Sequence, residues 1–163
     1  MPRTFVSVVE PWFLPDPGYF AGTGRMPIPL AGYGRIWLGN PARSGKRVVI
    51  YKFVMFGDAT LYPHIYVDPT AGLPPASAAR AVTPAWIGGA PSVAEFRSDA
   101  SAGALSAGTG ADAQIDYASP ANAREVVDLP PVVLGPGRSI GLNVPAPTAA
   151  VFDLTMYWTE EAA

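Results

Sequence analysis

Proline and glycine interrupt this chain so often that long helices are excluded. The sequence holds 19 prolines and 17 glycines among 163 residues, about a fifth of the chain. Proline removes a backbone donor and clashes with the preceding helical turn, while glycine weakens a helix through its extra backbone entropy. No helical period of apolar residues lasts more than about two turns. The chain therefore predicts an all-β domain of short strands joined by turns.

Short apolar runs recur at the spacing of strands in a sandwich or a barrel. We predict strands near residues 34–39, 47–57, 61–67, 82–87, 92–97, 113–118, 123–128, 138–144 and 150–158. The last strand alternates clearly, with four apolar side chains on one face: Phe152, Leu154, Met156 and Trp158. We expect it to form a hairpin with the strand before it, because only a short turn separates the two.

The run from Val48 to Phe56 is apolar on both faces apart from Lys52. A strand of this kind is typical of the middle of a sheet that is covered on both sides. The cover comes either from within a sandwich or from another subunit. Two stretches of small or turn-forming residues, 68–80 and 98–113, are predicted to be long loops.

Residues 1–30 contain one strand-like piece, residues 4–9, among many prolines. Proline favours extended backbone, so we predict an extended Pro-rich N-terminal arm over residues 1–30 and a β-sandwich domain over residues 31–163. The arm either lies over its own domain or reaches a neighbouring subunit. The side chains predicted to make such contacts are aromatic: Phe5, Trp12, Phe13, Tyr19 and Phe20 in the arm, and Trp86 in the domain.

The charge of the chain narrows the classes of partner. Charged residues make up 15% of the sequence and hydrophobic residues 49%. So few charges do little to keep a large surface soluble as a monomer, which favours burial of part of that surface against other subunits. The net charge of the chain is −2, so it lacks the excess of Lys and Arg that binding to nucleic acid requires. The absence of cysteine excludes disulfides and thiolate metal sites. No signal peptide or membrane span is evident, so we expect synthesis in the cytoplasm and no membrane contact.

Two stretches imitate functional motifs without meeting their requirements. Between Gly39 and Arg47 a Gly-Lys pair occurs, but the glycines are one residue too far apart for a phosphate-binding loop, and a strand follows instead of a helix. Residues 137–141 match the Gly-x-Ser-x-Gly of a nucleophile elbow. A strand follows that serine too, and the one histidine, His64, comes earlier in the chain. We therefore predict no catalytic residues.

Metal and cofactor sites find little support in the sequence. His64 has no second histidine or cysteine to complete a transition-metal site, and we interpret it as a half-exposed strand residue. Five aspartates in or beside loops carry the oxygen ligands that calcium takes: Asp58, Asp68, Asp99, Asp112 and Asp116. Their spacing matches no EF-hand loop, so a calcium site remains an open alternative, and we predict no cofactor.

Three stretches are similar to small virion proteins of tailed bacteriophages and gene transfer agents. The first is Arg35-Ile36-Trp37-Leu38 followed by an Asn-Pro-x-x-Ser-Gly-Lys turn at 40–46 and the start of a strand. The second is the Leu-Gly-Pro-Gly-Arg-Ser approach to the penultimate strand within residues 132–142. The third is the aromatic and acidic ending Met156-Tyr157-Trp158-Thr159-Glu160-Glu161. The resemblance covers about residues 35–161.

This resemblance implies an antiparallel β-sandwich of jelly-roll type, often a homotrimer. It implies a non-enzymatic structural protein of the virion, made in the host cytoplasm, that decorates or cements the capsid. The expected partners are the major capsid protein or other virion proteins. The alternative is a jelly-roll module of a phage head or tail spike that binds carbohydrate or a host receptor through surface aromatic residues such as Trp12 or Trp86.

Overall fold

The computed structural model describes residues 19–84, 90–105 and 119–163. Within these residues the chain forms nine β-strands and no α-helix. The strands are β1 (Tyr19–Ile28), β2 (Gly32–Gly39), β3 (Lys46–Gly57), β4 (His64–Val67), β5 (Val82–Pro84), β6 (Glu95–Ser101), β7 (Ala123–Leu134), β8 (Ser139–Ala146) and β9 (Ala150–Ala162). The all-β class predicted from the proline and glycine content is therefore confirmed.

The strands form two antiparallel sheets. One has five strands in the order β5-β1-β9-β3-β7, and the other has four in the order β4-β8-β2-β6. Successive strands alternate between the two sheets along the chain. Buried apolar side chains of both sheets form one cluster, so the architecture is a β-sandwich with its core between the sheets.

The predicted hairpin between the last two strands is wrong. The strand β8 pairs with β2 and β4, whereas β9 pairs with β1 and β3 in the opposite sheet. The predicted inward face of β9 is confirmed, since its four alternating apolar side chains are all buried. Alternation identifies the side chains that face the core, but it does not identify the strand that supplies the backbone hydrogen bonds.

Three pairs of strands are nested along the chain. The strand β1 pairs with β9, β2 with β8 and β3 with β7, always in antiparallel orientation. The nesting places β9 in the centre of the five-stranded sheet, between β1 and β3. The strands β4 and β6 do not continue the nesting, because they pair with β8 and β2 at opposite edges of the four-stranded sheet, and the short β5 pairs with β1.

The core is packed around Trp158 on the central strand. Its ring is stacked between Phe20 of β1 and Phe96 of β6, with centroid distances of 6.2 Å and 6.4 Å. Gly22 allows this approach, because a Cβ at that position would lie 2.7 Å from the ring of Phe96. A glycine inside a strand here marks a close approach of the two sheets and not a turn.

Part of the predicted arm belongs to the sandwich. Tyr19–Ile28 pairs with β9 along its whole length, so the domain includes residues that we assigned to the arm, and residues 1–18 lie outside the described part. The arm was predicted from the prolines, which do not exclude a strand where one side of it is unpaired. The short strand β5 pairs only with Phe20 to Gly22. Beyond that point, among the described strands, β1 pairs on one side only, so Pro27 is tolerated there.

The predicted loops are met in part. Residues 68–80 hold no strand and only one short 3-10 turn, Ala76–Ala78, as the small and turn-forming residues indicated. The loop predicted from residue 98 begins later, because β6 continues to Ser101. The strand predicted at 113–118 lies outside the described residues.

Candidate interaction surface

The aromatic residues predicted to contact partners fall into three groups. Tyr19 lies on the outer face of the five-stranded sheet, where its ring meets that of Tyr51 edge to face. Phe20 is only 2% exposed and stacks on Trp158, so its side chain serves the core of its own chain. The other four predicted contacts lie outside the described residues: Phe5, Trp12, Phe13 and Trp86.

The outer face of the five-stranded sheet carries an apolar surface that the sequence analysis did not single out. We define the outer apolar strip as five side chains on β3 and β7: Val49, Val54, Phe56, Val126 and Val133. The exposed fractions of Phe56, Val126 and Val133 are 37%, 49% and 56%. Exposed apolar side chains that occur singly are ordinary, but a contiguous group of them marks a contact surface.

Strand pairing gathers the outer apolar strip into two groups. Val54 lies opposite Val126, and Val49 lies opposite Val133, on the neighbouring strands β3 and β7. Side chains that are directly opposite in an antiparallel pair have Cβ atoms about 5 Å apart. The same two valines of β3 face threonines on their other side, Thr155 and Thr159 of β9. The ion pair of Lys52 with Asp128 lies between these two groups, so the strip consists of two apolar patches along the sheet.

The long apolar run of β3 explains how the strip arises. Its inward side chains Val48, Ile50, Phe53 and Met55 are buried in the core. Its outward side chains include Val49, Val54 and Phe56, and within the described chain no second layer covers them. We predicted that β3 is covered on both faces, and within the described residues the chain itself covers only the inward face.

The strand β7 borders the strip and forms an edge of the sheet. Among the described strands, β7 pairs only with β3. An edge strand presents unpaired backbone groups that invite further pairing. Proline at positions 130 and 131 removes two backbone donors in the middle of this strand. The edge is thereby poor at continuing the sheet, and the apolar face is the better contact surface.

The outer face of the four-stranded sheet is polar and covered by loops. Arg35 donates hydrogen bonds to both carboxylate oxygens of Asp99, at 2.9 Å and 2.6 Å, and one to the carbonyl of Gly72 at 3.0 Å. The buried Leu105 donates its backbone N–H to the side chain of Asn143 at 3.1 Å. The segments around residues 72 and 105 therefore close over this face, which contrasts with the open strip on the other sheet.

One charged pair on this face, Glu95 with Arg97, includes a carboxyl group whose pKa is lowered. Arg97 donates hydrogen bonds to both oxygens of Glu95, at 2.7 Å and 2.8 Å. These hydrogen bonds lower the pKa of Glu95, with a smaller opposing effect of burial and a contribution from the charge of Arg97. The guanidinium also lies 4.6 Å from the ring centroid of Trp37, a cation–π arrangement. The pair is a structural contact that fixes the indole.

The first two stretches that carry the phage resemblance meet at one end of the sandwich. The backbone N–H of Asn40 donates to the carbonyl of Arg138 at 2.9 Å, and the N–H of Gly137 donates to the carbonyl of Asn40 at 2.8 Å. The side-chain amide of Asn40 reaches Leu134 and Lys46 as well. The turn after β2 and the turn before β8 are thus fastened to each other.

The third stretch joins the same end through Glu160. Its side chain is fully buried, and the ammonium of Lys46 lies 3.3 Å from one of its oxygens. The carboxylate also accepts the backbone N–H groups of Val93 at 3.0 Å and Ala94 at 3.2 Å and the hydroxyl of Ser92. Glu160 therefore ties the last strand of one sheet to the segment that leads into β6 of the other.

The stretches that imitate functional motifs have structural partners. Lys46 begins the strand β3, so no helix opens at the Gly-Lys pair. Ser139 begins β8, and its backbone N–H donates to Asp68 at 2.7 Å. His64 pairs with Asn143, four residues from Ser139, which places the two about 13 Å apart along the strand. Ser139 and His64 are therefore not close enough for nucleophilic catalysis.

The described aspartates are engaged separately. Asp58 accepts the backbone N–H of Val151, Asp68 pairs with Arg138, and Asp99 pairs with Arg35. Within the described ranges, no group of three His, Cys, Asp or Glu side chains is placed to hold a metal ion. Asp112 and Asp116 lie outside those ranges. These three aspartates therefore each stabilise the local structure through a hydrogen bond or an ion pair.

Comparisons with protein-family models, with curated proteins and with solved structures found no match to this chain. Among the residues described here, no helix is long and apolar enough to cross a membrane.

A sequence signal for the outer apolar strip does exist. The strand β7 contains two valine pairs, Val126-Val127 and Val132-Val133. Adjacent valines in a strand point to opposite faces, so one valine of each pair must face away from the core. Val127 is buried, whereas Val126 and Val133 are exposed. The pairs predict two apolar faces, and only the three-dimensional pairing shows that the outer ones join those of β3.

Proposed function

We propose that the protein is a non-enzymatic structural subunit of a tailed phage or phage-like particle. In this proposal it decorates or cements the capsid, and the outer apolar strip is buried against a neighbouring subunit. The observation that carries the proposal is the exposure of Phe56, Val126 and Val133 on one face of the five-stranded sheet. Several large apolar side chains exposed on one face are typical of protein–protein contacts.

The way the strands are connected supports a jelly-roll sandwich. A jelly roll is a double-sheet sandwich built from Greek keys. The nested pairs β1 with β9, β2 with β8 and β3 with β7 are what results when a long antiparallel ribbon is rolled into two sheets. The position of β6 beside β2 departs from continued nesting. We infer a jelly roll in which the innermost turn of the ribbon has been rearranged.

The three stretches that carry the resemblance meet at one end of the sandwich. Asn40, Gly137 and Glu160 are far apart in the sequence, yet each makes hydrogen bonds that join this end. These residues therefore support a shared fold more directly than a shared ligand. The partners proposed from the resemblance are the major capsid protein or other virion proteins, with the virion as location and a homotrimer as the assembled form.

The proposal is tested with particles that lack the protein. Purified capsids or tails without it are mixed with the full chain and sedimented, and the bound protein is quantified. A structural subunit binds at a fixed ratio to the particle proteins and is displaced by no small ligand. Val126→Thr with Val133→Thr replaces one methyl group of each valine by a hydroxyl of the same size and is expected to abolish binding. Binding that is absent in the wild type, or unchanged in the variant, contradicts the proposal.

A further inference from the structure

A pocket on the outer face of the five-stranded sheet lies beside the outer apolar strip. It has a volume of about 230 Å³, and its main lining residues are Tyr19, Ala21, Tyr51, Thr83, Pro84 and Tyr157. None of these side chains carries a charge at neutral pH. Ligand pockets for drug-sized molecules are about 300–1,000 Å³, so this pocket is sized for a single ring.

The fold brings the three tyrosines together through an irregularity in β3. The pairing of β3 with β9 passes from Ile50 opposite Trp158 to Lys52 opposite Tyr157, so β3 has one more residue than β9 at Tyr51. Such bulges redirect a side chain and are frequent beside functional sites. The ring of Tyr51 meets that of Tyr19 nearly at right angles, at a centroid distance of 6.4 Å. Tyr157 of β9 lies opposite Lys52.

Small residues make the floor of the pocket. Ala21 of β1 lies opposite Thr83 on one side and opposite Tyr157 on the other. Large rings therefore surround a position where the side chains are short. The result is a depression lined by tyrosine side chains, in place of the flat surface that an antiparallel sheet usually presents.

We propose that this pocket binds one neutral sugar ring of an oligosaccharide. A pyranose has apolar C–H faces, which stack on aromatic rings, and hydroxyls around its edge, which pair with hydroxyls such as that of Thr83. A proline-rich peptide also stacks on tyrosines, but it lies along an extended groove, whereas this depression has the size of one ring. This activity is additional to the structural role.

The test uses the full chain and defined glycosides. Methyl glycosides of glucose, galactose, mannose, rhamnose and N-acetylglucosamine are titrated separately and followed by saturation-transfer NMR. A single ring makes few contacts, so we expect a dissociation constant in the millimolar range for at least one of them. Because the pocket and the ligand are uncharged, binding is expected to be insensitive to added salt.

Matched substitutions assign the binding to the pocket. Tyr51→Thr keeps a strand-forming residue and removes the ring, and it is expected to weaken binding about tenfold or more. Tyr62→Thr makes the same change at an exposed tyrosine outside the pocket and is expected to have no effect. Tyr51→Phe keeps the ring and is expected to retain most of the binding, which covers the case in which the threonine variant does not fold.

Two results overturn the proposal. One is the absence of saturable binding for all of the glycosides. The other is binding that a folded Tyr51→Thr or Tyr157→Thr variant retains at wild-type strength. Capture of a proline-rich peptide, without any glycoside binding, assigns the pocket to peptide recognition and equally rejects the sugar site. None of these results bears on particle binding through the outer apolar strip, which is measured separately.

Discussion

The side-chain amide of Asn40 donates a hydrogen bond to the carbonyl oxygen of Leu134, 94 positions later in the chain, at 2.9 Å. The same amide donates to the carbonyl of Lys46 at 2.8 Å. One buried side chain thus joins the turn after β2 to the end of β7. From the sequence we interpreted this stretch as a turn that imitates a phosphate-binding loop. In the structure, the hydrogen bonds of its asparagine link two segments that are distant in the sequence.

Replacing Asn40 tests its energetic contribution. Asn40→Ala removes the side-chain donor to the carbonyl of Leu134 and one of two side-chain donors to the carbonyl of Lys46, so we expect the free energy of unfolding to fall by about 1–3 kcal/mol. Urea denaturation followed by tryptophan fluorescence measures the change. Arg43→Ala, at an exposed position of the same turn, is the control and should stay within about 0.5 kcal/mol of the wild type. Equal stabilities for the two variants would show that Asn40 does not hold the turns together.

The buried carboxylate of Glu160 has a matched control next to it. Glu160→Gln removes the charge that accepts the N–H groups of Val93 and Ala94, so we expect a loss of about 1.5–3 kcal/mol in the free energy of unfolding. Glu161→Gln removes the same charge from a half-exposed pair with Arg47, and we expect at most about 1 kcal/mol. Denaturant titration of both variants measures the two losses in the free energy of unfolding. A larger loss for Glu161→Gln than for Glu160→Gln would contradict the role assigned to Glu160.

Acid stability should reveal the pair formed by Glu95 and Arg97. The pKa of Glu95 is lowered from its ordinary 4.5, so its charged form stabilises the folded chain. This contribution is complete above the ordinary pKa and is lost as the pH falls through the lowered value. We expect the stability difference between the wild type and Glu95→Gln to be at most about 1 kcal/mol near pH 7 and to shrink between about pH 5 and pH 3.

The measurement for Glu95 is a set of denaturant titrations at several pH values in that interval. Its side chain is 40% exposed, so screening by added salt should reduce the difference further. A stability difference that stays constant down to pH 3, or that grows on acidification, would show that the hydrogen bonds from Arg97 do not favour the ionised carboxylate.

Truncation distinguishes the N-terminal residues from the strand that follows them. Deleting residues 1–18 removes no residue of the nine strands, and we expect a folded protein. Deleting residues 1–30 removes β1 with Phe20, Met26 and Ile28, each buried. At about 1.5–3 kcal/mol for each buried side chain, this loss is comparable with the whole stability of a typical domain, so we expect an unfolded chain. Circular dichroism and thermal melting check both. A folded chain without residues 1–30 would contradict the position of β1.

The sequence predicted much of the fold from local patterns. Alternation located β9 and its buried face, and the glycines and prolines correctly excluded long helices. Two errors have physical causes. Backbone pairing is non-local, so alternation in β8 and β9 did not show that they belong to different sheets. Gly22 and Pro27 look like turn residues, but close packing against Phe96 and pairing on a single side make them acceptable within β1.

The candidate surface was harder to predict than the fold. Exposure depends on which strands are neighbours, and the contact of Val54 with Val126 arises from residues 72 positions apart. The aromatic residues chosen from the sequence were large and near prolines, yet Phe20 is part of the core. The outer valines of β7 carry no motif, and they become a surface only because β3 lies beside them.

The outer apolar strip should contribute to assembly and little to folding. Val126 and Val133 are about half exposed, so exchanging each for threonine is expected to change the free energy of unfolding by about 0.5 kcal/mol or less. Val127→Thr is the contrasting control, because that side chain is buried and the new hydroxyl loses its hydration, which costs about 1–3 kcal/mol. A large loss of stability from the outer pair would mean that these valines serve the fold of their own chain.

The most direct test of the central claim is the mass of the purified protein in solution, alone and with particles that lack it. Sedimentation velocity is run on the wild type and on the Val126→Thr, Val133→Thr variant. If the strip is an interface, the wild type forms a defined oligomer or joins particles at a fixed ratio, and the equally stable variant does neither. A wild type that is monomeric and indifferent to particles, or a variant that assembles in the same way, would contradict the account.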